Sequence, residues 1–229
     1  MRIRKIFKRF SYRYLEDSSV IYNPIFEVIY DLNYKYYTLK AKKGSRALTT
    51  LQKGLDDFYY ISGIINQYNK CFWKLITAGD VIVAFAMVRI QLDNLCAIYA
   101  ETKYPFEILH RVFEEGKRIE DIKRDGVLIK PAALRKEIDD KFGTNIAELY
   151  SKYSGFIHPS IAQTKVRIKT YYSAEDDDIR VVKKYLKLYE QDMIAINRTI
   201  IQILREYYDC TNDKLTQLNK LNKKQKLNK

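Results

Sequence analysis

The segment GDVIVAFAMVRIQLDNLCAIYAET, residues 79–102, contains the clearest periodic pattern in the chain. Its large apolar side chains recur at intervals of three and four residues, so they lie on one face of an α-helix. The pattern predicts a helix over roughly 79–102, and an apolar face of this width must be covered by other helices. The residues of this face are Val81, Phe85, Val88, Leu92, Leu95 and Tyr99.

The segment before it, residues 46–69, has the same spacing. Two amphipathic helices that follow each other closely in a chain pack as an antiparallel pair, because each covers the apolar face of the other. We therefore predict that the residues around Cys71–Thr77 form the connection between them. The face of the first helix is formed by Leu48, Leu51, Leu55, Phe58, Ile61, Ile65 and Tyr68.

Proline and glycine mark the bounds of three further helices. Proline lacks a backbone N–H and fits the first turn of a helix, whereas glycine tolerates the left-handed conformation that often ends one. A proline near the start and a glycine just after the end bound the segments 23–43, 105–115 and 131–142. We predict a helix in each of them.

The remaining segments have weaker signals. Thr144 or Asn145 caps a helix that runs to His158, where a proline interrupts it. The charged stretch around residues 124–126 is a connector. Apolar residues at helical spacing predict a long final helix over about 179–208.

These elements predict an all-α protein, a single-domain helical bundle with long antiparallel helices. The exception is at most a short extended segment near 164–172, where TKVRIKTYY alternates and is rich in β-branched and aromatic residues. We assign residues 23–209 to the bundle domain and residues 1–22 to a basic N-terminal arm or helix. Residues 210–229 are a lysine-rich C-terminal tail, which either continues the last helix or frays.

The positive charge of the chain is concentrated at its two ends. The net charge is +13, and residues 1–14 and 214–229 contain basic residues but no acidic ones, so the body between them is almost neutral. Nucleic-acid binding through phosphate contacts is therefore expected at the ends. The N-terminal arm alternatively contacts an anionic membrane or a partner, or packs on the bundle as a first helix. The residues expected to contact nucleic acid are Arg2, Arg4, Lys5, Lys8, Arg9, Lys220, Lys223 and Lys224.

The number and spacing of the cysteines and histidines limit the classes of protein to which this chain can belong. The three cysteines are widely separated and lack metal-ligand spacing, which indicates a reducing, cytoplasmic setting. We expect neither a secretory leader nor a transmembrane segment, because no run of about 18 apolar residues occurs. With two histidines, no CxxC pair and no phosphate-binding loop, the sequence predicts no metal site and no cofactor. His110 has only Arg111 as a polar neighbour and is expected at the surface.

A first polar group lies beside the apolar face of the helix at 79–102. Arg89 and Asp93 are four residues apart, and Asn94 follows directly. Two interpretations are open. The two charged residues form an ion pair along the helix surface, worth roughly 0.2–0.5 kcal/mol, or they point into a polar pocket between helices, where buried charges need partners.

A second polar group lies in YSKYSGFIHPS, residues 150–160. On a helix, Tyr150, Ser154 and His158 share one face, because they are four residues apart. We expect this face to lie against the polar side of the helix at 79–102.

The other residues of the same segment leave two interpretations of its histidine. Tyr153 and Ile157 share a different face, nearer the apolar side. Gly155 costs about 1 kcal/mol relative to alanine inside a helix, so its presence indicates close approach by another helix or by a substrate. His158, with Ser160 just past the proline, either presents its imidazole at the mouth of a cleft or interacts with the last carbonyl groups of the helix.

An all-helical domain with this Arg/Asp/Asn group on one long helix, and an LY…YSGFIHPS segment ending another, resembles proteins related to the HEPN superfamily over about residues 46–208. The resemblance implies a bacterial toxin–antitoxin or abortive-infection protein, that is, a protein of antiviral defence that acts on RNA as a dimer. Active members of that superfamily are metal-independent ribonucleases in which an arginine precedes a histidine by about four to six residues near a helix end.

RNA cleavage of this kind needs a base for the 2′-hydroxyl proton, an acid for the leaving 5′-oxygen and a cation that stabilises the phosphorane. The resemblance implies that His158 is the base or the acid. Lys152 occupies the position of the arginine and lacks its bidentate geometry, and Arg89 of the neighbouring helix is the alternative cation. The residues expected to position the reacting groups are Asp93, Asn94, Tyr150, Tyr153, Ser154 and Ser160.

A second function, from a different class, fits the same residues. A non-catalytic subunit of a defence complex would use the polar helix pair to fix an interface and its basic ends to dock on nucleic acid or a partner enzyme. The nearly neutral body and the lysine at position 152 favour this function, whereas the polar neighbours of His158 favour the first. Both functions predict RNA rather than DNA as the nucleic acid, and a second copy of the chain or another subunit as the protein partner.

Overall fold

A computed structural model of the chain describes residues 31, 49–78, 80–104, 108–157 and 176–227. Over these residues the protein is helical apart from a few turns and a two-stranded sheet, which confirms the predicted all-α class. The arm at 1–22 and the extended segment at 164–172 lie outside the described residues. So does the helix predicted over 23–43, except for Asp31, which is helical.

The first two described helices form the predicted pair, α1 over Thr49–Ala78 and α2 over Val81–Lys103. The predicted connection at Cys71–Thr77 is wrong, because α1 continues through it. The helical spacing of the apolar face does not stop at Tyr68, and no proline or glycine interrupts the chain before residue 79. The side chains that extend the buried face are Phe72, Trp73 and Ile76.

A short helix, α3 over Ile108–Phe113, returns from the end of α2. A buried carboxylate holds its first turn: Oε2 of Glu101 accepts hydrogen bonds from the backbone N–H groups of Ile108 and Leu109, each at 2.9 Å. Such a contact satisfies donors that have no partner within the helix. The chain leaves α3 through Gly116, whose φ is +66°.

The charged stretch around 124–126, predicted as a connector, contains a small hairpin. Its strands are β1 over Lys123–Arg124 and β2 over Val127–Leu128, paired antiparallel. Both turn residues have positive φ, +50° at Asp125 and +81° at Gly126. This is the turn that an Asp-Gly pair favours between antiparallel strands.

The helix predicted over 131–142 is present with those bounds, as α4 over Pro131–Phe142, and Gly143 ends it in the left-handed conformation with φ 63° and ψ 40°. α5 follows over Ile146–Ser154. The carboxylate of Asp139, in α4, accepts hydrogen bonds from the first backbone N–H groups of α5, including Ala147 at 3.0 Å. It thereby fixes the direction in which α5 leaves α4.

The predicted continuation of α5 to His158 is wrong. The helix ends at Ser154, and the next residues form tight turns in which the N–H of Phe156 donates to the carbonyl of Tyr153 at 3.0 Å. The tighter turn moves Phe156 into the core, whereas Ile157 is 42% exposed. Ile157 therefore does not share the buried side of Tyr153, because the helical phase changes after Ser154.

The last helix, α6 over Asp176–Leu227, is 52 residues long and continues well past the predicted end at 208. The part of the C-terminal tail up to residue 227 is thus a continuation of this helix. Its inner face packs on α1 and α2. Tyr207 stacks on Phe58 of α1 with ring centroids 4.0 Å apart.

α2 is the central helix of the described bundle and contacts each of the other five helices that the structure describes. Its apolar face is buried as predicted, and Phe85 packs against an aromatic group from α5, the turn after it and α6. By length and composition alone, Val81–Lys103 is also apolar enough to cross a membrane, and it alone meets that criterion among the described helices. In this bundle 61% of its most apolar stretch is buried against other parts of the chain.

Candidate functional site

Arg89 of α2 meets the polar face of α5. Its Nε donates to Oγ of Ser154 at 3.4 Å, and its Nη2 contacts the hydroxyl of Tyr150. Its guanidinium carbon lies 3.6 Å from the centre of the Tyr150 ring. The structure therefore brings together three of the predicted site residues between α2 and α5. The alternative, an ion pair of Arg89 with Asp93 along α2, is present as well.

A second arginine, which the sequence analysis did not select, completes this group. The guanidinium carbon of Arg135, in α4, lies 3.5 Å from the centre of the Tyr150 ring. Because one ring face has room for only one planar guanidinium at this distance, the two arginines stack on opposite faces. We call Arg89, Arg135 and Tyr150 the arginine–tyrosine cluster.

The charges of the cluster are only partly balanced. Asp93 forms an ion pair with Arg89, and its side chain is 52% exposed, against 11% for Arg89. Arg135 forms no ion pair with a described carboxylate, and its Nη1, which is buried, has no hydrogen-bond partner there. The cluster thus contains two guanidinium groups beside one carboxylate, which pairs with Arg89 alone. Nη1 of each arginine is buried and makes no hydrogen bond to a described residue, but only that of Arg89 has a carboxylate beside it.

The absence of an ion pair at Arg135 has a structural cause. Asp139 lies four residues later in α4, which is the spacing of an intrahelical pair. Its two oxygens instead accept hydrogen bonds from the hydroxyl of Thr144, at 2.8 Å, and from the N-terminus of α5. The local partner that the sequence offers to Arg135 is therefore engaged in the connection between α4 and α5.

Cys96 lies beside the cluster on α2 and is 1% exposed. Burial raises the pKa of its thiol to about 12, and the nearby positive charge of Arg135 opposes this rise only in part. The thiol stays protonated at neutral pH, so Cys96 does not act as a nucleophile at this site.

Lys152, predicted as the cation of a catalytic motif, points to the other side of α5. Its Nζ lies 2.5 Å from Oδ2 of Asp192, a residue of α6. The hydroxyl of Tyr153 donates to the same oxygen at 2.7 Å. Lys152 is therefore neutralised by α6 and lies outside the arginine–tyrosine cluster, whose second cation is Arg135.

Tyr153, predicted to position a substrate, is a core residue. Its ring is fully buried among Phe85, Phe156 and Tyr189. Burial raises the pKa of its hydroxyl far above the usual range, and the neighbouring Asp192 carboxylate adds to the rise. The hydroxyl is therefore protonated at neutral pH and donates to Asp192.

Asn94 belongs to a buried group of side-chain amides that joins α1, α2 and α6. Its Nδ2 donates to Oε1 of Gln91 at 3.1 Å, and Nε2 of Gln91 donates to Oδ1 of Asn197 at 3.0 Å. Nδ2 of Asn197 in turn donates to Oδ1 of Asn69 at 2.8 Å. The structure thus separates Asn94 from Arg89 and places it in the core.

The structure describes only some of the remaining residues that were predicted for the site and for nucleic-acid binding. His158 and Ser160 lie outside the described residues, and so do the five basic residues predicted in the N-terminal arm. Lys220 is exposed on α6, and the side chains of Lys223 and Lys224 are outside the described part. Their proposed contacts with nucleic acid stay predictions.

Comparisons with protein-family models, with curated proteins and with solved structures find no match to this chain. The function is therefore argued from the geometry of the arginine–tyrosine cluster.

Proposed function

We propose that this protein binds RNA and that the arginine–tyrosine cluster holds a phosphate of its backbone. The observation that carries the proposal is Arg135, whose positive charge has no carboxylate partner among the described residues and whose buried Nη1 has no acceptor there. A planar guanidinium matches the oxygens of a phosphate in a bidentate arrangement. Arg135 as a whole is partly exposed, so an anion could contact its guanidinium group and balance its charge.

The surroundings of Arg135 suit a phosphate better than a carboxylate side chain. Tyr150 holds the two guanidinium groups in fixed planes, which reduces the entropy lost when they bind a ligand. The hydroxyl groups of Tyr150 and Ser154 add polar groups next to the cations. Phosphate contacts of this type bind nucleic acid without reading its sequence.

For catalysis we propose the chemistry expected of a HEPN-like protein of bacterial defence or of a toxin–antitoxin pair. His158 would act either as the base that takes the 2′-hydroxyl proton or as the acid that protonates the leaving 5′-oxygen, and water would carry out the other proton transfer. The 2′-oxygen bonds to the adjacent phosphorus as the bond between phosphorus and the 5′-oxygen breaks, which leaves a 2′,3′-cyclic phosphate and a 5′-hydroxyl group. Arg89 and Arg135 would stabilise the phosphorane. Lys152 has no part in this scheme, because Asp192 neutralises it.

A second candidate function has an observation of its own. Lys152 stands at the position that is an arginine in the HEPN motif, and Asp192 neutralises its charge. A non-catalytic protein would tolerate the loss of a free cation at this position. In that case the protein is an RNA-binding subunit of a defence complex, and its basic ends dock on nucleic acid or on a partner enzyme. Both candidates keep the phosphate at the arginine–tyrosine cluster.

The binding proposal is tested by fluorescence anisotropy with a labelled single-stranded RNA. Arg135→Ala is compared with Lys136→Ala, which removes the same charge from an exposed neighbouring position on α4. We expect Arg135→Ala to weaken binding by about tenfold or more, a loss of roughly 1.4 kcal/mol. We also expect it to lower the slope of log affinity against log salt by about 0.7, the value for one phosphate contact on a single strand. Equal effects of the two substitutions would reject the cluster as the phosphate site.

Cleavage is tested separately, by incubation of total RNA with the wild-type protein and with His158→Ala. Loss of cleavage in the variant, with RNA affinity retained, supports the catalytic candidate. Binding without cleavage by the wild-type protein supports the non-catalytic subunit.

A further inference from the structure

A second group of polar side chains joins α1 to α3, and none of its residues belongs to the arginine–tyrosine cluster. Asp57, His110 and Glu114 each place one potential ligand atom within 4.8 Å of the other two. Nδ1 of His110 lies 3.0 Å from Oε2 of Glu114. The group contains one imidazole nitrogen and two carboxylates.

The backbone explains why the three side chains converge. Glu114 follows directly after α3, and its N–H donates to the carbonyl of His110 at 2.8 Å. This i,i+4 bond continues the helical turn and places the two residues on one side. α3 packs against α1. Asp57 precedes Phe58, which is fully buried and stacked on Tyr207, so its backbone is fixed by the core.

We propose that Asp57, His110 and Glu114 bind a divalent transition-metal ion, of which Zn²⁺ is the best match. Three protein ligands of the N/O type, with water at the fourth position, form a common zinc arrangement. The imidazole disfavours Mg²⁺ and Ca²⁺, which prefer oxygen ligands. The side chains of His110 and Glu114 are 43% and 64% exposed, which leaves room for water ligands.

The remaining nitrogen of the imidazole faces another carboxylate. Nε2 of His110 lies 4.0 Å from Oε1 of Glu115, and Lys117 contacts Glu115 at 2.7 Å. The 4.0 Å separation of Nε2 from Oε1 is longer than a hydrogen bond, so Glu115 adds negative charge beside the imidazole without fixing the orientation of the ring.

The metal would link two helices that are otherwise joined through the core. A ligand that binds the folded but not the unfolded chain raises the free energy of unfolding. We therefore expect the ion to stabilise the contact between α1 and the end of α3 while it keeps a water ligand. The assignment stands apart from the RNA-binding proposal, because it uses different residues.

The test is isothermal titration of the full-length protein, freed of metal with a chelator, with ZnCl₂. We expect one equivalent per chain, and a melting temperature that rises with Zn²⁺. His110→Ala and Asp57→Asn should each weaken binding by about tenfold or more. Binding should also weaken on acidification, because ligation requires the neutral imidazole.

Two control variants remove the competing ligands, namely the other histidine and the exposed cysteine, through His158→Ala and Cys210→Ser. Both should bind Zn²⁺ like the wild-type protein. If His110→Ala loses its circular dichroism spectrum, Glu114→Gln at the exposed position replaces it and should weaken binding in the same way. Absence of saturable Zn²⁺ binding, or unchanged binding by a folded His110→Ala or Glu114→Gln variant, would overturn the proposal.

Discussion

The guanidinium carbon of Arg135 lies 3.5 Å from the centre of the Tyr150 ring, and that of Arg89 lies 3.6 Å from the same centre. One tyrosine thus holds cations from two different helices, α4 and α2. Cations in contact with an aromatic face are stabilised by the ring quadrupole, by about 0.5–2 kcal/mol depending on desolvation. This interaction offsets part of the repulsion between the two like charges and keeps one on each side of the same ring.

Two substitutions of Tyr150 separate the role of its ring from the role of its hydroxyl group. Tyr150→Phe keeps the ring and loses only the contact of the hydroxyl with Arg89, so we expect RNA affinity to fall by no more than about threefold, and stability by about 1 kcal/mol. Tyr150→Ala removes the stacking surface, and we expect affinity to fall by about tenfold or more, as for loss of an aligned arginine. Anisotropy and urea denaturation measure the two quantities. Equal RNA affinity of the two variants would contradict the role of the ring.

Lys152→Ala tests the assignment of that lysine to α6. Because Asp192 neutralises Lys152 at a partly exposed ion pair, its removal should lower stability by less than about 1 kcal/mol. RNA affinity should change by no more than about twofold, far less than with Arg135→Ala. Urea denaturation and anisotropy on the same preparations provide the comparison. A loss of affinity as large as that of Arg135→Ala would return Lys152 to the phosphate site.

Asn197→Ala tests the buried amide group. The substitution removes the hydrogen bonds that Asn197 makes with Nε2 of Gln91 and with Oδ1 of Asn69. An unsatisfied buried polar group lowers the free energy of unfolding by about 1–3 kcal/mol. We expect urea denaturation to show a loss of that size. Gln202→Ala, at an exposed position on α6, is the control and should change stability by less than about 0.5 kcal/mol.

Asn94→Ala extends the same test to the candidate site. Because Asn94 donates to Gln91 rather than to the arginine–tyrosine cluster, we expect a loss of stability with unchanged RNA affinity. A selective loss of RNA affinity in a fully stable protein would restore Asn94 to the site.

Cys96 predicts a dependence of stability on pH. The pKa of its thiol is about 12 in the folded protein, against 9.0 for the exposed group, because burial penalises the thiolate. The unfolded chain therefore releases its proton first, so the stability of the fold is fully present below pH 9 and decreases as the pH rises from 9 towards 12. Between pH 9 and 12, the free energy of unfolding should decrease less for Cys96→Ala than for the wild-type protein. Urea denaturation at several pH values measures this difference.

The same burial predicts the reactivity of the cysteines. Iodoacetamide at pH 8 should modify Cys210, which is exposed, and leave Cys96 unmodified in the folded protein. Mass spectrometry of the digested protein identifies the modified residues. Rapid modification of Cys96 under native conditions would contradict its burial.

Much of the fold follows from local features of the sequence. α4 has the predicted bounds, Pro131–Phe142, because proline and the left-handed Gly143 act on the backbone next to them. α2 is present because its apolar stripe needs only the regular spacing of a helix. The end of α1 was predicted too early, although Gly79 marks the observed end at Ala78. The end of α5 was predicted too late, because the chain turns more tightly after Ser154.

The candidate site was predicted only in part. Helical spacing correctly predicted that Tyr150 and Ser154 share one face and that this face lies against Arg89. The same phase separates Arg89 from Asn94, because five residues rotate the side chain by about 140° around the helix axis. Arg135 was missed because Asp139, four residues later, is the partner that a helix alone would give it.

The sequence by itself determined where most of the helices run and which of their faces are apolar. These properties depend on residues three or four positions apart, so each segment specifies them without the rest of the chain. Only the tertiary structure decided the partners of the charged side chains. Asp139 caps α5, Asp192 neutralises Lys152, and Arg135 stacks on Tyr150 with no carboxylate of its own among the described residues. Long polar side chains on different helices meet only after core packing has fixed how the helices cross.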